Sequence, residues 1–559
     1  MRRSCARGLA YLLLLAALRV QAQDQINDDT VSATPPPTTA PLPDIPSPKD
    51  LEAAGALIGT ISIDNQNIFD LSDPREDKRL YRLANRLHIK TRERVIRQQL
   101  LFEPGERYSH RKLEESERIL RSARYLYDAW IRPVAWHDGV VDLEVTTRDV
   151  WTLNPGVSFG RKGGKSTTGF QLEELNILGT GVSLAMSHNS EVDRDRTSVQ
   201  LKNPHLFDGR TTLDMTYSDT SDGHARHVSL DRPFYALDTR WAAGGSVFDE
   251  ELVQSVYDEG HTRAKYFRDW QYANLYGGLS EGLIGDWVQR WTFGATVDDR
   301  HYETAPDWTG RSLVPEDRKF VYPWIGYELL QDEFQKFKNH DQIGRTEDFY
   351  LGTRFYARVG WADSSFGSSR DALMFLAQAA HAEEMSERST LLFAANLRGR
   401  LSDGDWENTV IDGAVRYYVQ QSKKALLFAT VSGAAGQRID LDEQMVLGGD
   451  NGLRGYPLRY QSGDARALFT IEQRYFTDWY PWRLFRIGGA AFFDMGRTWG
   501  RSPLGTPSQG LLKDVGVGLR IGSSRSGLGN VIHVDLAVPL DGDSSIDNVQ
   551  LLVETLEKF

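Results

Sequence analysis

Residues Val446-Leu447-Gly448-Gly449-Asp450-Asn451-Gly452-Leu453-Arg454-Gly455-Tyr456 set one guanidinium in a glycine-dense stretch that ends on an aromatic ring. So many glycines allow a loop to fold back where side chains would not fit. A lone arginine at such a tip needs carboxylates, and a planar guanidinium pairs best with them two atoms at a time. Glu472 and Asp494 lie downstream on segments of alternating polarity. Glu472 is in phase with Arg466 and Arg474 and opposite Phe469 and Ile471. Asp494 is opposite Phe493 and Met495. Period-two alternation puts both carboxylates on the polar face of a sheet. The chemistry on offer is ion pairing that pins a loop, either as a fixed plug or as part of a moving gate.

Bond-breaking chemistry finds no comparable set of residues. Gly163-Gly164-Lys165-Ser166-Thr167 has the end of a phosphate loop, but position 159, where the first glycine belongs, is Phe159. The stretch also lies between two strand-like segments, where no helix N-terminus can hold a phosphate. It reads as a basic hairpin turn. There is no His-Glu-x-x-His and no Gly-x-Ser-x-Gly. His188, His205, His224, His227 and His301 are scattered without ligand spacing. The only cysteine is Cys5. We therefore expect no enzyme activity, no cofactor and no metal. A net charge of −12 gives no basic footprint for nucleic acid.

The elements that must position the trio fall into four parts. Residues 1–22 read as a secretory signal peptide: Arg2, Arg3 and Arg7 precede an apolar run from Gly8 to Leu18, and Val20-Gln21-Ala22 offers a cleavage site. Residues 23–56 are rich in Pro and Thr, with Pro35, Pro36, Pro37, Pro41, Pro43, Pro46 and Pro48, and read as an extended linker. Residues 57–150 read as a compact β-α-α-β-β unit. Ile58 to Ile63 alternates as a strand, Arg92 to Leu101 and Ser109 to Tyr127 have helical spacing, and His137-Asp138-Gly139 is a hairpin turn between two further strands.

Residues 151–559 show no convincing helix. Short alternating segments recur with turn residues between them, as in Leu391–Leu397, Phe485–Met495 and Val515–Ile521. A soluble sandwich would show the same alternation. The leader, the unbroken run of strands and the aromatics near segment ends (Phe476, Trp479, Tyr480, Trp482, Trp499) favour a transmembrane β-barrel. The segments number about twenty, with Glu251 to Arg268 and Gln331 to Glu347 the weakest. The first strand is placed at about Thr152 to Gly160 and the last at Val549 to Phe559.

With these residues in view, the chain resembles the BamA/TamA superfamily of outer-membrane barrels, the bacterial surface antigen family. Leu453-Arg454-Gly455-Tyr456 is similar to that family's luminal Arg-Gly-Phe/Tyr loop. Phe493-Asp494-Met495-Gly496 is similar to its Phe-x-Asp-x-Gly strand, and Gly516-Val517-Gly518-Leu519-Arg520 to its following Gly-x-Gly strand. Gly179-Thr180-Gly181, Asn203-Pro204-His205-Leu206-Phe207 and Asp231-Arg232-Pro233-Phe234-Tyr235 resemble its early strand ends. Phe559 resembles its C-terminal signal, although Glu557 stands where an apolar residue is usual.

The resemblance implies a barrel of about sixteen strands preceded by one α+β POTRA domain, residues 57–150. It implies that Arg454 pairs inside the lumen with Asp494 and Glu472. It implies a Gram-negative outer-membrane protein, its N-terminal domain in the periplasm, that assists insertion or translocation of client proteins. The expected partners are an unfolded client on the POTRA edge strand, outer-membrane lipid and periplasmic accessory proteins. The alternative is a passive channel or structural barrel of the same fold.

Overall fold

The computed structural model describes residues 45–306, 308–343, 346–525, 531–542 and 546–556. The signal peptide, most of the linker and Phe559 lie outside the described residues.

The N-terminal module begins earlier than composition suggested. Pro48–Ala53 is a helix, α1. Ser47 caps it by accepting from the Asp50 N–H at 3.3 Å, and Pro48 sits in its first turn, where no N–H is needed. Leu51 is fully buried in the module's core, so this end of the proline-rich stretch is structural and not linker. The sheet is β1 (Leu57–Gln66), β2 (Leu126–His137) and β3 (Val140–Asp149). β3 is central, parallel to β1 and antiparallel to β2. Val141, Leu143 and Val145 are buried, as the alternation required.

Three helices, not two, cross between β1 and β2: α2 (Arg79–Leu87), α3 (Glu93–Arg97) and α4 (His110–Ser122). Leu113 and Leu120 of α4 join the core, as their spacing implied. The Ser109 side chain does not cap α4. Glu52 does so from α1, accepting the His110 N–H at 2.8 Å.

From Leu153–Lys162 to Gln550–Leu556, twenty strands among the described residues close into one antiparallel barrel. The segment count therefore holds and the expected sixteen does not. The two weak segments resolve differently. Glu251 to Arg268 belongs to two long barrel strands, Trp241–Asp258 and His261–Ile284, which outrun the roughly 9–11 residues needed to span a bilayer. Gln331 to Glu347 instead leads into a separate hairpin, Phe334–Lys338 against Thr346–Tyr350, outside the barrel ladder.

Apolar side chains such as Val247, Leu275, Ile325, Val431, Val517 and Leu536 face outward and are exposed. Trp241, Trp287 and Trp482 are exposed near the module's end of the barrel, and Trp361, Trp406 and Trp499 near the other. No described helix is long and apolar enough to cross a membrane. A closed, even-stranded barrel with an apolar belt between two aromatic girdles is the outer-membrane architecture of Gram-negative bacteria. The protein is an outer-membrane β-barrel.

Candidate functional site: an ion cluster in the lumen

The loop Arg438–Asp464 leaves the barrel at the end away from the module and folds into the lumen. Arg454 reaches Asp494 with two parallel bonds, Nε to Oδ2 at 2.7 Å and Nη2 to Oδ1 at 3.0 Å. Its Nη1 donates to Glu472 at 3.0 Å and to Asp535 at 3.2 Å. The guanidinium lies 3.3 Å from the centre of the Phe492 ring, and Thr470 donates its hydroxyl to Asp494 at 2.8 Å. The structure thus brings together Arg454, Glu472 and Asp494, and adds a third carboxylate.

The cluster extends beyond that trio. Arg520 pairs with Asp535, and reaches Glu472 at 3.5 Å. Arg474 donates to the other oxygen of Glu472 at 3.1 Å. Asp494 and Arg520 are 0% exposed. At such burial each charge depends on its partners, because water is not there to replace them.

The motif glycines make room for this. A Cβ on Gly516 would lie 2.2 Å from the Phe492 ring, and one on Gly518 would lie 1.7 Å from Asp535. A Cβ on Gly455 would meet Asp514 at 2.6 Å. Gly455 also donates its N–H to Asp514 at 3.0 Å. Gly496 lets Leu447 approach. Tyr456 is fully buried, its hydroxyl donating to the Lys513 carbonyl at 2.8 Å. Phe493 is not in the cluster: it faces outward, and the neighbouring Phe492 carries the aromatic contact.

The loop also touches the first hairpin of the barrel. A Cβ on Gly449 would lie 2.9 Å from Gly163, and one on Gly163 would lie 2.2 Å from Leu458. The basic turn between Leu153–Lys162 and Lys165–Glu174 is therefore a seat for the loop, not a phosphate site.

A second element enters from the module's end. The tip of the hairpin Phe334–Tyr350 reaches Arg474, whose Nη1 donates to the His340 carbonyl at 2.9 Å. Tyr418 donates its hydroxyl to Asp341 at 3.0 Å. Ile343 packs with Tyr418, Leu426, Phe476 and Val531. Loop and hairpin therefore arrive from opposite ends at Glu472 and Arg474, two residues apart on one strand. The hairpin's base is tied to the module: Arg121 pairs with Asp348, Lys336 with Glu117 at 2.7 Å, and Thr346 donates to Asp128 at 3.0 Å.

Within the hairpin, Glu347 accepts the N–H groups of His340, Asp341 and Gln342 at 2.9, 2.8 and 3.2 Å. Burial first, and the Asp341 charge second, push its pKa up to about 7 against the pull of those amides. A raised carboxyl pKa means that the folded state holds the proton more tightly. The stability this gives is fully present below the ordinary value near 4.5 and is lost as pH rises to about 7. Protection factors at the amides of His340 to Gln342, which discount the intrinsic rise of exchange with pH, should fall across that window. In Glu347→Gln that fall should vanish.

No family model matches the chain, and no curated protein matches it. Among solved structures it is similar to CdiB from Escherichia coli, 14% identical over 90% of this chain and 76% of that one, with a TM-score of 0.46. CdiB from Acinetobacter baumannii is 15% identical over 91% and 77%, at 0.43. BamA from Haemophilus ducreyi lacking POTRA domains 1–3 is 12% identical over 89% and 84%, at 0.39. Likeness of this size does not place the chain in a family.

Proposed function

We propose that this barrel assists the insertion or translocation of client proteins at the outer membrane, with the N-terminal module as its single POTRA-like receiving domain. The observation that carries this reading is the seam. Among the described residues the last strand, Gln550–Leu556, meets the first, Leu153–Lys162, at one ladder pair, Val553 opposite Arg161. The neighbouring interface runs unbroken from Val531 opposite Leu556 to Ala537 opposite Gln550. Beside the single pair, Lys162 and Glu554 form an ion pair. The joint between the first and last strands is where a barrel can open, and its freed edges can template a client strand. The loop bearing Arg454 sits on the hairpin of that first strand, so its docking and the seam are mechanically joined.

In the module, Glu117 accepts the Ile131 N–H at 2.8 Å and Arg121 donates to the Ala129 carbonyl at 2.9 Å. Side chains thus occupy the outer edge of β2 near the barrel. A client strand would add farther out, toward His137. No covalent chemistry is required: folding of the client and burial of its apolar face in lipid supply the free energy.

The test is a disulfide between Arg161→Cys and Val553→Cys. Directly opposed strand residues have Cα atoms within bridging range, and Cys5 is the only native cysteine. Oxidation should stop assembly of other outer-membrane proteins, and reduction should restore it. Full activity in the oxidised form would remove the seam from the mechanism. A passive channel would conduct equally in both forms and leave those proteins at normal levels.

A further inference from the structure

Helix α2 carries two parallel stripes that the fold leaves uncovered. Leu80, Leu83 and Leu87, at i, i+3 and i+7, are exposed, Leu80 by 66% and Leu87 by 63%, and Ile89 follows them. Arg79, Arg82 and Arg86 repeat the same spacing one residue earlier and are exposed too, Arg82 while pairing with Asp77 just before the helix. Tyr81 turns inward and is buried, with Ala84 packed beside it. From Lys78 to Arg92 the chain has six lysines and arginines and no acidic residue, although acidic residues outnumber basic ones overall, 77 to 65.

The helix is bolted to the barrel rim. The Tyr81 hydroxyl donates to the Trp482 carbonyl at 2.6 Å, and its ring stacks on Phe69 with centroids 4.3 Å apart. Leu484 and Trp151 pack on the same cluster. Arg483 pairs with Asp73 at 3.1 Å, and Arg525 donates to the Ile68 carbonyl at 2.7 Å. The rim turn that holds the helix presents Trp479 and Trp482, which are 65% and 71% exposed. Exposed tryptophans at a barrel edge lie at headgroup depth.

We infer that α2 is a membrane foot: its leucine stripe enters the periplasmic leaflet of the outer membrane and its arginines engage anionic phospholipid headgroups. An apolar stripe beside a cationic one is the pattern of a helix lying in the plane of an interface. The aromatic girdle continues onto the helix through Trp482, and the basic run complements an anionic surface. The cluster that holds the helix includes Trp151, two residues before the first strand of the seam. The inference does not depend on what passes through that seam.

The test uses the full chain in vesicles of phosphatidylethanolamine and phosphatidylglycerol, with a nitroxide on Leu83→Cys, Leu87→Cys or, as a distal control, His137→Cys. All three sites are exposed, and heat-modifiable migration verifies that each variant folds. At positions 83 and 87, collisions with oxygen, which concentrates in the bilayer, should rise severalfold relative to collisions with a water-soluble nickel chelate. At position 137 they should not. Exchange of phosphatidylglycerol for phosphatidylcholine should lower the ratio at 83 and 87, and an unchanged ratio would overturn the headgroup role. Aqueous readings at 83 and 87 in lipid alone would overturn the inference. So would a stripe that becomes dry only when another protein is added.

Discussion

Arg454→Ala should cost the folded barrel about 3–5 kcal/mol, the range for removing one partner of a buried ion pair. Asp494 would lose both of its guanidinium bonds and keep one hydroxyl, from Thr470. Glu472 would retain Arg474 and Arg520, and Asp535 would retain Arg520. The stranded charge therefore falls mainly on Asp494. Arg454→Lys should recover only part of the loss, because an ammonium cannot make the bidentate contact or lie flat on Phe492. Asp494→Asn in the alanine background should recover part as well, since it removes the orphaned charge. The measurement is thermal unfolding of the purified barrel, with the unboiled fast-migrating band as a second readout. Equal melting of Arg454→Ala and the native chain would show that the cluster does not hold the loop. Because Gly449 of the same loop rests on Gly163, the variant should also loosen the first hairpin.

The residues of this cluster divide by what a sequence can encode locally. Glu472 and Asp494 were legible because strand period fixes which side a residue faces, and the face follows from neighbours two positions away. Asp535 and Asp514 were not. Their relation to Arg454 depends on the register between neighbouring strands, which alternation along a single strand does not fix. Asp494 stands opposite Asp514, and Gly518 opposite Asp535, only once the ladders are drawn. Strand existence was legible throughout the barrel for the same local reason. Strand membership was not, as the hairpin shows. Phe334–Lys338 and Thr346–Tyr350 form strands, yet pair only with each other.

The module tells a similar story. α1 was hidden by the prolines around it, although Ser47 before Pro48 carried a helix-start signal. The leucines of α2 are spaced for a helix but have no apolar partners nearby in sequence. That mismatch was itself the signal. A helix whose apolar stripe finds no core requires another apolar surface, and the barrel rim brings one.

Removal of the hairpin should open the lumen without opening the barrel. The strands that flank it, Arg318–Gln331 and Arg354–Ala362, are already direct neighbours, with Leu330 opposite Arg354 and the Gln331 N–H bonded to the Thr353 carbonyl at 3.0 Å. A short glycine-serine turn joining Gln331 to Arg354 would therefore leave the ladder intact. What is lost lies inside: the packing of Ile343 on Tyr418, Leu426, Phe476 and Val531, and the bonds from Arg474 and Tyr418 to the tip. Conductance across planar bilayers should rise severalfold, while the loop held by Arg454 still obstructs the other end. Combining the deletion with Arg454→Ala should raise conductance further than either change alone. A narrower variant separates plug from tether. Asp348→Ala removes the hairpin's partner for Arg121, which keeps Glu117 within the module, and leaves the tip untouched. It should loosen the module, read as faster proteolysis between Val150 and Leu153, without raising conductance. If the deletion leaves conductance at the native level, the hairpin does not plug the lumen, and its contacts with Arg474 serve only to seat the module.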